Sequence, residues 1–234
     1  MRFDIMTLFP EAVAPMLNAS ILGRAQKKGL IEIHAHQIRD YTTNKQNQVD
    51  DYPYGGGRGA IMQCDPLWRC WCAICDEIGA PVHTVFLSPC GPSFDQAKAR
   101  QLQADYDNLI LVCGHYEGVD ERFIEACVDE ELSIGDFVLT GGELGAMVVT
   151  DCVCRMVPGV LSDTECYTGE SHWAGRLEYP QYTRPETWEG RTVPEVLRGG
   201  NHAEIEAWRT RQSLERTLVK RPDLFRETPP TPDE

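Results

Sequence analysis

The sequence predicts an α/β protein, in which a mostly parallel sheet carries helices on both faces and a small helical domain follows. Short apolar runs alternate with helical patterns through the first two-thirds of the 234 residues. Strands that alternate with helices form parallel sheets, because each return to the sheet needs a crossover. This pattern ends at residues 157–160 (Val-Pro-Gly-Val), after which the chain is polar and then forms one long helical segment.

The predicted strands are short runs rich in Val, Ile, Leu and Phe, and they cover residues 3–8, 30–38, 82–87, 108–113 and 136–139. Between them, apolar residues recur at the three- to four-residue spacing of amphipathic helices. The predicted helices cover residues 11–28, 66–78, 94–104, 119–129, 143–156 and 201–220. We therefore expect one domain at residues 1–160, a linking loop at 161–178 and a helical domain at 179–234.

Composition and charge restrict the classes of function. The chain is 42% hydrophobic and 25% charged, which is typical of a globular protein, and its formal net charge is −14. This charge argues against a protein that coats nucleic acid through its overall field. However, residues 184–226 hold nine basic and seven acidic side chains, against 13 and 26 in residues 1–183. A local contact with nucleic acid in the C-terminal domain therefore stays open.

Cysteine usage and the N-terminal sequence indicate the cellular compartment in which the protein is expected. The first apolar run is short and contains Asp4, unlike a secretory signal, and no run approaches the roughly 18 apolar residues of a membrane span. We expect a cytoplasmic protein with reduced thiols and no membrane partner. Cys70, Cys72 and Cys75 give half of a zinc-knuckle pattern, but no second Cys-x2-Cys pair follows. We interpret them as core-filling residues and predict no metal site.

Three glycine-containing loops, at residues 87–91, 113–118 and 139–145, each follow a predicted strand. Ligands of open α/β sheets bind at the carboxyl ends of strands, where glycine lets backbone amides approach closely. The loops therefore predict a backbone-lined pocket for a small cofactor. They contain neither a phosphate loop nor a complete dinucleotide motif, which argues against a nucleoside triphosphatase or a nicotinamide enzyme.

Other candidate residues lie outside these loops. A fourth glycine cluster, at residues 49–59, is either a flexible surface loop or a loop that closes on a flat polar ligand such as a base, and we favour the second. Arg155 ends an apolar helix, a setting in which arginine usually has an anionic partner. Glu170 lies in the polar loop, where glutamate is normally solvated, and His172 beside it is a rival acid or base. His34 and His36 are interpreted as structural.

Blocks along nearly the whole chain match one known family in order and spacing. They are residues 3–10, 49–59, 87–89, 114–122, 133–144, 158–161, 179–186 and 200–205. On these blocks the chain resembles the bacterial tRNA (guanine-N1)-methyltransferase (TrmD) family, a branch of the knotted SPOUT methyltransferases. The resemblance implies methyl transfer from S-adenosyl-L-methionine to N1 of the guanosine 3′ of the anticodon, tRNA position 37.

The resemblance also implies partners and binding residues. It implies a homodimer with tRNA bound across both subunits, a deep trefoil knot in the first domain, tRNA contacts from the C-terminal domain, and magnesium associated with catalysis. The implied cofactor residues are Leu87, Ser88, Pro89, Gly114, Glu117, Ser133, Ile134, Gly135, Asp136, Phe137, Val138, Leu139, Gly141 and Gly142. The implied tRNA residues are Asp50, Tyr54, Gly55, Gly59, Asn201, His202 and Arg209.

The chemistry of guanine explains the implied catalytic residues. N1 carries a proton at neutral pH, so a base must remove it, and the charge that develops on O6 needs a cation or donor. The family uses a loop aspartate as the base and an arginine before Pro-Gly-Val-Leu at O6. These positions correspond to Glu170 and Arg155. Glutamate adds a methylene to the usual aspartate, and a misplacement of roughly 1 Å can cost about 100-fold in rate.

The extra methylene leaves alternatives open. One is a catalytically impaired relative that still binds tRNA, and another is a knotted methyltransferase with a different RNA target. His172 and Asp50 are the rival bases if Glu170 does not act.

Overall fold

The computed structural model describes residues 1–227. The chain forms two compact units, the first from Met1 to Asp163 and the second from Thr164 onward. Residues 164–178, predicted as part of a linking loop, group with the second unit. The end of the predicted C-terminal domain, residues 228–234, lies outside the described residues.

The strands of the first unit are β1 (Arg2–Thr7), β2 (Glu32–Gln37), β3 (Asp50–Asp51), β4 (Ile61–Met62), β5 (His83–Leu87), β6 (Asn108–Cys113) and β7 (Glu130–Leu132), and those of the second are β8 (Thr187–Trp188) and β9 (Arg191–Thr192). The helices are α1 (Pro10–Leu17), α2 (Ser20–Lys27), α3 (Cys64–Ile78), α4 (Gln96–Asp105), α5 (Glu121–Cys127), α6 (Glu143–Cys154), α7 (Glu165–Thr168), α8 (His202–Lys220) and α9 (Leu224–Glu227). Short 3-10 turns occupy Ile38–Tyr41 and Glu195–Leu197.

The first unit is built on a parallel five-stranded sheet of order β2-β1-β6-β5-β7. Its central strands are buried on both faces, which is why they read as nearly continuous apolar runs in the sequence. All five strands point the same way, so their carboxyl ends lie at one edge of the sheet. The predicted class, an α/β protein with a parallel sheet and helices, is confirmed.

Helices cover the two faces of the sheet. On one face, Met6, Ile110 and Phe86 join Leu67 and Ile74 of α3 in one buried cluster. On the other face, α6 packs against β1 and β6, and α1 and α4 pack against α6. Each strand therefore contributes alternate side chains to two cores.

Two predicted elements differ in the structure. The prediction of a strand at residues 136–139 is wrong: these residues form a loop, in which Phe137 is 54% and Val138 is 83% exposed. The fifth strand is β7 instead, a short edge strand that begins with two glutamates. The predicted helix at 11–28 is divided into α1 and α2, because Asn18 ends α1 and Ser20 adopts a φ of 47°.

The second unit is organised around α8. Residues 187–192 form the β8–β9 hairpin, with Glu189 and Gly190 at positive φ in the turn. The Leu177 N–H donates to Thr217 Oγ1 at 2.9 Å, so α8 holds the segment that precedes the hairpin. Within residues 1–227, no helix combines the length and the apolar character needed to cross a bilayer.

The ten cysteines are all free thiols. Cys90 and Cys166 are exposed, whereas Cys70, Cys113, Cys127 and Cys154 are buried. Cys70 belongs to the α3 core, in agreement with its predicted packing role, while Cys72 and Cys75 are half-buried. Burial raises the pKa of the Cys75 and Cys127 thiols to about 11. These thiols are therefore neutral at physiological pH.

Candidate active site

The loops that follow β5, β6 and β7 enclose one cavity at the carboxyl edge of the sheet. The parallel arrangement of the strands brings these loops together, although they are distant in sequence. The predicted cofactor residues that line the cavity are Leu87, Ser88, Pro89, Gly114, Glu117, Ser133, Ile134, Gly135, Phe137, Val138, Leu139, Gly141 and Gly142. Asp136, also predicted, is not among the lining residues.

The loop after β6 touches the segment that enters α6. The Gly142 N–H donates to the Gly114 carbonyl at 3.1 Å. A Cβ on Gly142 would lie 2.7 Å from Cys113 Cα, and a Cβ on Gly141 would lie 2.2 Å from His115 Nε2. Both distances are far below a normal carbon contact, so a side chain at Gly142 would clash with backbone, and one at Gly141 would displace the side chains of His115 and Glu143.

Ser133 fixes the opposite wall. Its hydroxyl donates to the Gly135 carbonyl at 2.9 Å and lies 3.2 Å from the Gly135 N–H. Gly135 has a φ of 149°, a conformation that a side chain would strain. The Ser88 N–H donates to the Leu132 carbonyl at 3.0 Å, so the loop after β5 is attached to the end of β7.

The lining combines apolar side chains with backbone polar groups. Phe86, Leu87, Ile134 and Leu139 provide apolar surface, while the glycine segments present amides and carbonyls. Such a cavity suits a flat ligand with polar edges. Cys113 lies behind it, and burial, assisted by the charge of Glu143, holds the pKa of this thiol well above its ordinary range. Cys113 is therefore a neutral packing group.

The glycine cluster at residues 49–59 ends beside the cavity. Gly59 packs so closely on Glu117 that a Cβ would lie 2.4 Å from Glu117 Cγ. The Glu117 N–H donates to the Ala60 carbonyl at 3.0 Å, and the Met62 N–H donates to Gly118 at 2.9 Å. Two predicted regions, the glycine cluster and the Gly114–Glu117 loop, are thus in contact.

The remaining residues of this cluster have different environments. Asp50 is half-buried in β3, which pairs with β4 in an antiparallel register. Tyr54 is fully exposed, and Gly55 has a φ of 84°, with nothing within 4 Å of the position that a Cβ would take. The tip of the loop therefore presents an aromatic ring and backbone to solvent.

The two predicted catalytic residues lie in different units. Arg155 is the C-terminal cap of α6 in the first unit, where its N–H donates to the Asp151 carbonyl at 3.2 Å. Glu170 follows α7 in the second unit, is half-buried, and donates its N–H to the Tyr167 carbonyl at 3.3 Å. His172 is exposed, with a φ of 75°.

The predicted tRNA residues of the second unit lie on or before α8. Asn201 caps this helix through its carbonyl, which accepts the Ile205 N–H at 3.0 Å, and His202 is exposed in the first turn. Arg209 donates to Glu206 at 2.5 Å, and its guanidinium stacks 4.9 Å from the centre of the Tyr179 ring.

Sequence reasoning did not select every residue of the cavity. The lining residues missing from the prediction are Phe86, His115, Tyr116, Gly118, Leu132, Thr140 and Gly145. His115, Tyr116 and Gly118 lie within a loop already singled out, so their position was available from the motif. Phe86 and Leu132 lie in strands, where no pattern distinguishes a cavity wall from the core.

Comparisons with known proteins point to one family. The chain matches the family described as tRNA (Guanine-1)-methyltransferase TrmD over residues 1–227. It is 53% identical over 229 residues to a tRNA (guanine-N(1)-)-methyltransferase of Ruminiclostridium cellulolyticum, covering 98% of both chains. Proteins of the same name from Lachnospira eligens and Chloroflexus aggregans are 51% and 55% identical, covering 97% and 96% of this chain and 96% and 88% of their own.

Proposed function

Because this chain belongs to the tRNA (guanine-1)-methyltransferase family, we propose that it methylates N1 of the guanosine 3′ of the anticodon, at tRNA position 37. That it is a tRNA guanine-N1 methyltransferase follows from relatives of that name along nearly its whole length. The observation that carries the site assignment is the convergence of the three glycine loops on one cavity.

The cavity fits S-adenosyl-L-methionine as the methyl donor. The cavity lining includes Gly114, Gly135, Gly141 and Gly142, where no side chain separates the backbone from a ligand. Phe86 and Ile134 would pack against the adenine ring, and the amides of residues 133–139 would bind its polar edge. Bound there, the cofactor supplies an electrophilic methyl group.

The protein's own side chains have two tasks in this reaction: to remove the proton from guanine N1 and to stabilise the negative charge that develops on O6. We assign Glu170 as the base that takes the N1 proton, which leaves the N1 lone pair available as the nucleophile. We assign Arg155 to the negative charge that develops on O6, where a guanidinium donates hydrogen bonds to an oxyanion. Glu170 is one methylene longer than the aspartate that is usual in the family. The loop must therefore hold the Glu170 backbone slightly further from guanine N1.

The tRNA side of the proposal uses both units. Asp50, Tyr54, Gly55 and Gly59 would contact the target base and its neighbours, since their loop ends against Glu117 of the cavity. From the second unit, the assigned residues are Asn201, His202 and Arg209. An exposed tyrosine such as Tyr54 offers a stacking surface for a nucleobase.

We also propose a homodimer. The supporting observation is apolar surface on two helices that pack together: Met16 of α1 is 44% exposed, and Leu144 and Val148 of α6 are 56% and 46% exposed. Leu144 and Val148 are four residues apart, so they share one helix face. Exposed apolar surface of this kind is typical of interaction sites.

The trefoil knot belongs to the same proposal. It is supported by the return of the chain after β7 to the loop after β6, where Gly141 pairs with His115, and by the packing of α6 on β1 and β6. For magnesium, residues 1–227 contain no group of three or more His, Cys, Asp or Glu side chains that could hold a metal ion. We therefore derive no step through magnesium.

The test is a methyl-transfer assay on tRNA with guanosine at positions 36 and 37, using the wild type and Glu170→Gln. We expect the wild type to methylate N1 of position 37, and Glu170→Gln to lose turnover while still binding the cofactor. Full activity of Glu170→Gln would contradict the base assignment and turn attention to His172 or Asp50. Binding without turnover in the wild type would indicate an impaired relative, and a methyl group on another nucleotide would indicate a different target.

A further inference from the structure

A buried hydrogen-bonded cluster lies directly behind the cavity wall. Glu143, the first residue of α6, is 8% exposed and follows Gly141 and Gly142 in sequence. Its two carboxylate oxygens lie 2.9 and 2.8 Å from His115 Nε2. The Thr7 hydroxyl donates to Glu143 Oε1 at 2.6 Å. The cluster thus joins the end of β1, the loop after β6 and the start of α6.

The hydrogen bonds of this cluster converge on the Glu143 carboxylate. A carboxylate only accepts hydrogen bonds, so the contact with His115 requires a proton on Nε2. The Thr7 oxygen accepts the Phe9 N–H at 2.9 Å, so its own proton is directed to Glu143. The negative charge lies in the first turn of α6, where the helix dipole favours it.

The cluster is in contact with the glycine wall. Residues His115 and Gly141 form an isolated antiparallel backbone bridge. A Cβ on Gly141 would lie 2.2 Å from His115 Nε2 and 2.5 Å from Glu143 Oε2, so the backbone of Gly141 rests on this pair of side chains. His115 lines the cavity, whereas Thr7 and Glu143 do not.

We propose that Glu143 and Thr7 are positioning residues for the methyl donor, which act by holding His115 and the Gly141–Gly142 segment in the shape that binds it. The inference rests on the proposed function, since it takes this cavity as the S-adenosyl-L-methionine site. Without the Glu143 carboxylate, His115 loses its partner and the glycine wall loses its support. The cavity then partly populates conformations that do not bind the cofactor.

The test is the dissociation constant of S-adenosyl-L-methionine, measured by titration calorimetry without tRNA. We expect Glu143→Ala to weaken binding at least about tenfold, since it removes charge-assisted hydrogen bonds. Thr7→Val, which keeps the shape but removes the hydroxyl, should weaken binding about fivefold, and Thr7→Ser should bind as the wild type does. In steady-state assays, the KM for the cofactor should rise while kcat and the KM for tRNA change less than about twofold.

Glu130→Ala is the matched control. Glu130 also accepts a hydrogen bond from a histidine, His83, at 2.8 Å, but it does not line the cavity. It should lower the midpoint of thermal unfolding and leave cofactor binding unchanged. Equal weakening in Glu130→Ala, or equal affinities of folded Thr7→Val and Thr7→Ser, would overturn the inference. Failure of the wild type to bind the cofactor would instead overturn the proposed function.

Discussion

The Ser213 hydroxyl of α8 donates to the Leu177 carbonyl at 2.5 Å. One turn further along the helix, the Thr217 hydroxyl accepts a hydrogen bond from the Leu177 N–H at 2.9 Å. The same hydroxyl donates to the Ser213 carbonyl at 2.7 Å. Both polar groups of Leu177 are therefore held by one helix. The next residue, Glu178, donates its N–H to the Ser171 hydroxyl at 3.0 Å, so hydrogen bonds connect α8 to the segment that carries the proposed base, Glu170.

The first prediction concerns this attachment. Thr217 is fully buried, so Thr217→Val leaves the Leu177 N–H without its hydrogen-bond acceptor. We expect this loss to lower the free energy of unfolding of the second unit by about 1–2 kcal/mol. We expect kcat to fall several-fold in steady-state assays of methyl transfer, while cofactor binding is unchanged. Thr217→Ser should restore kcat. The exposed Thr187→Val is the control, and a folded Thr217→Val with wild-type kcat would contradict the prediction.

The second prediction concerns the cavity wall. Gly141→Ala places a methyl group 2.2 Å from His115 Nε2, so the wall must move. We expect cofactor affinity to fall at least about tenfold, because overpacking costs roughly 1–3 kcal/mol. Gly79→Ala is the control: unlike Gly141, Gly79 has a positive φ, of 60°, and nothing lies within 4 Å of the position that its Cβ would take. It should cost about 1 kcal/mol of stability and leave cofactor affinity intact.

The third prediction concerns pH. Burial works to raise the pKa of Asp4, but hydrogen bonds from His36 at 2.7 Å and Arg2 at 2.8 Å outweigh it and hold that pKa below its ordinary value of 3.8. A lowered folded pKa stabilises the fold above pH 3.8, and this contribution is lost as the pH falls through the folded pKa. Asp4→Asn should remove the contribution of Asp4 to the pH dependence of the free energy of unfolding.

Chemical denaturation at pH 3 and pH 7 measures the effect. We expect Asp4→Asn to lower the free energy of unfolding at pH 7 by about 3 kcal/mol, since it breaks a buried ionic network. The loss should be smaller at pH 3. An equal loss at both pH values would show that the charge of Asp4 does not contribute.

The fourth prediction concerns tRNA affinity. Within residues 1–227, Arg209 and Arg211 have acidic neighbours on α8, whereas no ion pair is found for Arg216 or Lys220. The double substitution Arg216→Gln with Lys220→Gln should weaken tRNA binding and reduce the slope of log affinity against log salt by about 1–2. Arg69→Gln, on α3, is the control. An unchanged salt slope would show that Arg216 and Lys220 do not contact phosphates.

Much of the first unit follows from its sequence. Strand β6 is recognisable because burial on both faces demands continuous apolar residues, and β1 shows the same pattern interrupted by the buried Asp4. The edge strand β7 is not, because its register depends on β5 and its first residues are the half-buried Glu130 and Glu131. Residues 137–139 have the apolar pattern of a buried strand, although they form a loop that lines the cavity. A local sequence pattern does not distinguish apolar residues of a strand from apolar residues of a cavity wall.

The cavity was predictable in its loops and less so in its supporting residues. Glycines at strand ends identify positions where backbone meets a ligand, and these predictions required no tertiary information. The pairing of Thr7 with Glu143 spans 136 residues and is formed only when β1 and α6 pack together. The departure of Glu170 from the usual aspartate is visible in the sequence, but its effect on rate depends on distances in the complex with tRNA.

The distribution of buried and exposed thiols has a practical consequence. Burial keeps Cys70, Cys113 and Cys154 protonated and out of reach of reagents. The exposed pair, Cys90 and Cys166, lies one in each compact unit. A maleimide dye therefore has one preferred attachment point on either side of the division, without any engineered cysteine. Energy transfer between the two dyes would report whether the distance between the two labelled sites changes when tRNA binds.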